Sequence, residues 1–191
     1  RVYPSDPDVV GKTLDELARE RDSEPVDVAL DLLEVGGAFF ASFNQNPADK
    51  KRFMRQAWTM TGSDGELVPS TEDPHPRSYA NVQHKIRKYV VEEEAVDLAF
   101  AVRSMTALPA AVFSLEDRGV LRSGAFADVV VFDLERMRDH ATFEDPHQLS
   151  EGVIHLLVNG GVAIEDERVT GTRAGRVLSL REGRAAPASS N

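Results

Sequence analysis

The sequence predicts a chain whose first part is α/β and whose remainder is β, with the change near residue 114. Two observations carry this. Through residue 113, capped helices alternate with short, continuously apolar runs, the pattern of parallel strands buried on both faces. Beyond it, apolar runs are punctuated by glycine, and Asn159-Gly160 stands between two of them as a strong hairpin signal.

Taken in order, Thr13-Leu14-Asp15-Glu16 is a capping box that opens a helix through about Arg21. Ser23 and Pro25 start a second helix, with Val26, Leu30 and Leu33 at i, i+4 and i+7, and Gly36-Gly37 ends it. Ala38 to Phe43, with its three phenylalanines, reads as a buried strand. Asn46 then caps a charged helix that runs through Arg55, with Pro47 at its first position. Trp58 to Thr61 reads as the next strand, and the polar stretch that follows reads as a loop ending at a helix capped by Ser78. Val82, Ile86, Tyr89 and Val90 form that helix's apolar stripe, and Val96 to Met105 forms another helix. Strands follow at Gly119–Leu121, Ala127–Asp133 and Val153–Val158. The small polar residues from Gly183 to Asn191 predict a disordered tail.

Composition narrows the function classes. With 191 residues the chain is long enough for a real core, and a formal net charge of −10 argues against nucleic-acid or anionic-membrane binding. No run approaches the eighteen apolar residues of a membrane span, and no secretory leader is recognisable, so a cytoplasmic protein is expected. The absence of cysteine excludes disulfides and thiolate ligands. The chain opens on Arg1 rather than methionine.

The stretch Thr61-Gly62-Ser63-Asp64-Gly65 holds the first candidate, because functional groups of parallel α/β folds gather at the carboxyl ends of strands. Ser-Asp-Gly is also ordinary turn chemistry, so the tripeptide alone leaves Asp64 open between turn and catalysis. His75 and Arg77 close the same loop; a planar guanidinium suits a bidentate grip on a carboxylate, yet both residues also read as loop residues before a helix. The five histidines all follow Asp64, and no His-x-His occurs. His84 lies on a helix face, His155 lies inside a strand, and His140 and His147 flank Glu144 and Asp145 in what reads as a surface loop.

Seven ordered motifs then point to one family. They are Gly62-Ser63-Asp64-Gly65 with His75-Pro76-Arg77, Tyr89 to Glu93, Ala101 to Ala110, Asp117-Arg118-Gly119 with Gly124 to Asp133, Ala141 to Glu144 with Pro146, Val158-Asn159-Gly160, and Thr170-Gly171. With these motifs Thr61 to Gly175 resembles the carboxyl-terminal part of the N-acyl-D-amino-acid deacylases, of the metal-dependent amidohydrolase superfamily, and residues 11–60 resemble the segment before it.

The resemblance implies an α/β fold: residues 1–113 as the last strand–helix units of a (β/α)₈ (TIM-type) barrel, 114–183 as part of a small β-sandwich, and 184–191 as the disordered tail. It implies that Asp64 is the general base and also able to touch the metal. It places substrate binding on Arg77, against the α-carboxylate, with His75 beside it. It implies one or two zinc ions in the complete enzyme, held by ligands upstream of Arg1, so the fragment alone is expected to be inactive and to bind none. The partners it implies are a small N-acyl amino acid and either the amino-terminal part of the same protein or a second copy. Extra acids in the loop, Glu66, Glu72 and Asp73, argue against anionic substrates, and Ala80 replaces a glycine usual in the family. A cyclic-amide hydrolase of the dihydropyrimidinase or hydantoinase kind, and a non-catalytic binding module, are the alternatives.

Overall fold

The computed structural model describes residues 3, 5–38, 40–66, 68–69 and 74–178. They divide into two compact units, one running through Gln45 and one beginning at Asn46.

In the first unit, a 3₁₀ turn at Pro7–Val9 precedes α1 (Leu14–Arg21) and α2 (Pro25–Val35). The capping box forms as expected: the Glu16 amide donates to Thr13 Oγ1 at 3.2 Å, and the Thr13 amide donates to the Glu16 carboxylate at 2.8 Å. Gly36, with φ +87°, closes α2. Leu17 and Ala18 of α1 pack on Val28 and Leu32 of α2, and Tyr3 completes the core by donating its hydroxyl to the Leu32 carbonyl at 2.8 Å. The expected stripe of α2 is not the buried one. Val26, Leu30 and Leu33 are 63%, 58% and 53% exposed. Helix α2 is apolar around most of its circumference, so spacing alone does not choose a face, and α1 takes the Val28–Leu32 side.

The second unit holds α3 (Pro47–Met54), α4 (Arg77–His84), α5 (Leu98–Met105), α6 (Ala107–Val112) and a four-stranded sheet. Asn46 caps α3 through its side-chain oxygen, 2.8 Å from the Ala48 amide. Helix α4 runs directly into a π-helical stretch, Lys85–Glu92, which buries Ile86 and Tyr89 and packs against α5. Helix α4 begins at Arg77 after Pro76, and the Ser78 side chain does not cap it. Strands β1 (Val129–Phe132), β2 (Val153–Val158), β3 (Gly161–Glu165) and β4 (Arg168–Val169) pair antiparallel in chain order. Asn159 and Gly160 both have positive φ, 49° and 81°, and make the predicted turn between β2 and β3.

The mixed helix-and-sheet composition holds, but three expected strands do not form. Residues 38 and 40–43, 58–61 and 119–121 run as turns, bends or irregular backbone, and Phe39 lies outside the described residues. A strand exists only where its N–H and C=O groups meet a neighbour's, and none of these runs has one among the described residues. The 55–61 segment is held instead to α5 and to the bend before it: Arg55 Nε donates to the Ala95 carbonyl at 2.8 Å, and Arg103 Nη1 of α5 donates to the Ala57 carbonyl at 3.0 Å. No parallel pair is present among the described residues. The tail expected from Gly183 to Asn191 lies outside them. No described helix is long and apolar enough to cross a membrane.

Candidate functional site

The loop that carries Asp64 belongs to the second unit and begins at Thr61. There the Thr61 amide donates to the Ser104 carbonyl of α5 at 2.9 Å, so the take-off point is tied down. Ser63 Oγ accepts from the Gly65 amide at 3.2 Å, which tightens the turn around Asp64. Asp64 itself sits at φ 46°, in the left-handed region that aspartate tolerates better than most residues.

The loop then lies on the first turn of α4. A Cβ on Gly65 would stand 2.9 Å from Ser78 Cα, and the Glu66 amide donates to Ser78 Oγ at 3.2 Å. Ser78 lies inside α4, one residue past its start, so its hydroxyl is not at the capping position and serves the loop instead. Arg77, one residue earlier, reaches Asp64 twice. Its Nη2 lies 2.6 Å from Asp64 Oδ2, and its Nε donates to the Asp64 carbonyl at 2.9 Å. The Asp64 side chain remains 86% exposed.

His75 Nδ1 accepts from the Arg77 amide at 3.1 Å, so the neutral ring carries its proton on Nε2. The ring meets Phe143 edge-on with centroids 4.9 Å apart. Asp64, His75 and Arg77 therefore share one locus around the start of α4, although Asp64 and His75 stand eleven positions apart in sequence. Glu66 belongs to the same loop, whereas Glu72 and Asp73 lie outside the described residues.

Among the described residues the other histidines meet other partners. His84 Nδ1 is 2.7 Å from Asp139, His140 Nε2 is 3.3 Å from Glu151, and His147 Nδ1 is 3.0 Å from the Tyr79 hydroxyl. His155 Nδ1 accepts from the Asp166 amide at 3.3 Å. Among the described residues no three His, Cys, Asp or Glu side chains gather to hold a metal ion. A zinc site needs three or four protein or water ligands, and the exposed Asp64 carboxylate offers one.

One buried group escaped the sequence analysis. Lys85, at the start of the π-helical stretch, is only 7% exposed, and burial pulls its ammonium below the ordinary lysine range. Its position was legible: Lys85 falls between Val82 and Ile86, on the apolar face of its own helix.

Comparison with known proteins gives the following. The sequence profile of the amidohydrolase family matches residues 15–164. The D-aminoacylase of Alcaligenes xylosoxydans xylosoxydans is 38% identical over 173 residues, covering 91% of this chain and 35% of that protein. A D-aminoacylase structure described for its binuclear metal center superposes with a TM-score of 0.77 at 36% identity, over 93% of this chain and 36% of the other. The N-acyl-D-glutamate deacylase of Bordetella bronchiseptica, solved with zinc and a phosphonate mimic of the tetrahedral intermediate, gives 0.70 at 36% identity, over 85% and 33%. The chain spans about a third of the length of the curated relatives it matches.

Proposed function

The chain belongs to the amidohydrolase family, and from that premise we propose that it is the carboxyl-terminal part of a deacylase that hydrolyses the amide of N-acyl-D-amino acids. Residues 1–113 then belong to the closing part of a (β/α)₈ barrel and residues 114–183 to a β-sandwich. The metal ligands come from outside these residues.

The observation that carries the proposal is the Asp64–Arg77 pair. Amide hydrolysis needs a carboxylate that takes a proton from the attacking water and returns it to the departing amine. It also needs an anchor that sets the substrate's orientation. Asp64 supplies an exposed carboxylate on a tightly held turn, and Arg77 supplies a guanidinium that already grips a carboxylate at 2.6 Å. A substrate α-carboxylate presents the same planar pair of oxygens. When it takes the Arg77 Nη2 donor, it releases Asp64 Oδ2 beside the bound amide. One arginine thus both seats the substrate and frees the base. Glu66, in the same loop, disfavours a second negative charge on the substrate side chain.

Two substitutions in the complete enzyme test this. Asp64→Asn lowers kcat by about 10²–10⁴-fold with bound metal retained, the usual scale for a lost general base. Turnover within a few-fold of the unaltered enzyme returns Asp64 to the role of a turn residue. Arg77→Met raises KM for an N-acetyl-D-amino acid more than for the corresponding amide, which lacks the carboxylate. Equal effects on both remove Arg77 as the anchor.

A further inference from the structure

We propose that Lys85 is a positioning residue for the catalytic turn, holding the Thr61–Asp64 segment in place through a hydroxyl network shared with Thr61 and Ser104. This rests on Asp64 being the base, as argued above.

A buried lysine is ordinarily matched by a carboxylate, because an unpaired ammonium loses its hydration without replacement. Among the described residues Lys85 has no carboxylate partner; its Nζ donates to Thr61 Oγ1 and, at 2.7 Å, to Ser104 Oγ. The hydrogens in this knot have one consistent assignment. Ser104 Oγ spends its proton on the Ala101 carbonyl at 2.7 Å, so it can only accept from its other neighbours. Thr61 Oγ1, 3.1 Å from Ser104 Oγ, is therefore the donor in that bond and the acceptor from Lys85. Thr61 is thus fixed three ways: by its amide on the Ser104 carbonyl, by its hydroxyl on Ser104, and by the Lys85 amine.

The consequence reaches Asp64 because the tether is short. Three Cα–Cα steps separate Thr61 from Asp64, a span of at most about 10 Å. The far side of the turn is held by Arg77 and Ser78 at the start of α4. Lys85 lies on the direct continuation of that helix, eight residues on and roughly 12 Å along the axis. One helical rod therefore grips the loop at both ends, Arg77 and Ser78 below Asp64 and Lys85 above it. The burial that lowers the Lys85 ammonium is the cost of placing a cation there with hydroxyl partners only.

The test uses the complete protein with Lys85→Met and, separately, Thr61→Val, reading amide hydrogen exchange over residues 59–66 together with kcat and KM on an N-acetyl-D-amino acid. In Lys85→Met the two hydroxyls keep their bond to each other, and Thr61→Val keeps the Thr61 amide bond and the side-chain shape. Both variants are expected to melt as one cooperative unit, to speed exchange over 59–66 several-fold with little change elsewhere, and to lower kcat about tenfold or more with KM little changed. Unchanged exchange over 59–66 in the variants that fold overturns the proposal. So does a uniform rise in exchange across the chain, which marks a global packing role. If the unaltered enzyme turns over no N-acyl amino acid, the deacylase assignment fails, and the exchange data still decide the role of Lys85.

Discussion

Gly65 is where the candidate site is least forgiving. Its missing side chain lets the loop lie against the backbone of Ser78, and a methyl group there would come within 2.9 Å of Ser78 Cα. The obstacle is backbone rather than the end of a flexible side chain, so the loop must lift. Gly65→Ala is therefore expected to cost roughly 1–3 kcal/mol, the usual scale for overpacking. It should also weaken the Arg77–Asp64 contact and lower activity beyond that loss of stability. Thermal melts with parallel kinetics check this, and wild-type values in both remove the close approach from the account. Lys85 carries the residue-scale prediction for pH. Its folded-state ammonium sheds a proton more readily than the ordinary 10.5 of the unfolded chain, so the unfolded state binds more protons between the two values. The stability of the unaltered protein relative to Lys85→Met therefore rises as pH climbs from the folded value toward 10.5, and the penalty is complete below that window. A difference that falls over the same range contradicts the assignment. Asp64, His75 and Arg77 were legible as candidates from residue type and motif, but the grip of Arg77 on Asp64 was not, because a contact across thirteen residues leaves no periodic trace.

At the scale of elements, legibility tracked how far a signal had to reach. Thr13 with Glu16, Asn46 with Pro47, and Asn159 with Gly160 each carry their geometry within four residues, and all three appear as expected. Ala38–Phe43, Trp58–Thr61 and Gly119–Leu121 have strand-like composition, but a strand is a pairing and not a propensity. The β2–β3 turn allows a sharper test, because Asn159 does more than accept a left-handed backbone. Its Oδ1 accepts from Arg118 Nη2 at 2.5 Å, its Nδ2 donates to the Ala174 carbonyl at 2.7 Å, and its amide donates to Asp128 Oδ1 at 2.8 Å. Arg118 in turn pairs with Asp128 and lies over the Phe126 ring at 4.1 Å. Asn159→Ala removes both side-chain bonds and places a less tolerant residue at φ 49°, leaving a largely buried guanidinium short of an acceptor. A loss of roughly 1–3 kcal/mol in a denaturant melt is expected. A change below about 0.5 kcal/mol, the range of an ordinary surface substitution, returns Asn159 to a turn residue alone.

For the whole molecule, the informative quantity is apolar surface left in solvent. Val26, Leu30, Leu33 and Val35 stand exposed on α2, and Phe43, Trp58, Leu121 and Leu149 stand exposed elsewhere. Covering each such side chain is worth about 1.5–3 kcal/mol, so a surface holding several of them favours association. The net charge of −10 opposes it, but at physiological salt the repulsion between exposed charges is screened beyond about 8 Å, while contact burial is not. The apolar term wins at contact distance. Residues 1–191 purified alone are therefore expected to elute from size-exclusion chromatography with a light-scattering mass above 21.0 kDa, or to aggregate. Replacing Val26, Leu30 and Leu33 together with serine should lower that mass without unfolding α2, because Val28 and Leu32 keep the contact with α1. On the deacylase reading, the same face is covered by other parts of the complete protein, which should then be less prone to associate through it. A monodisperse species of 21.0 kDa with a cooperative melt contradicts this and favours the non-catalytic binding module, a chain that carries its exposed apolar face without need of a neighbour.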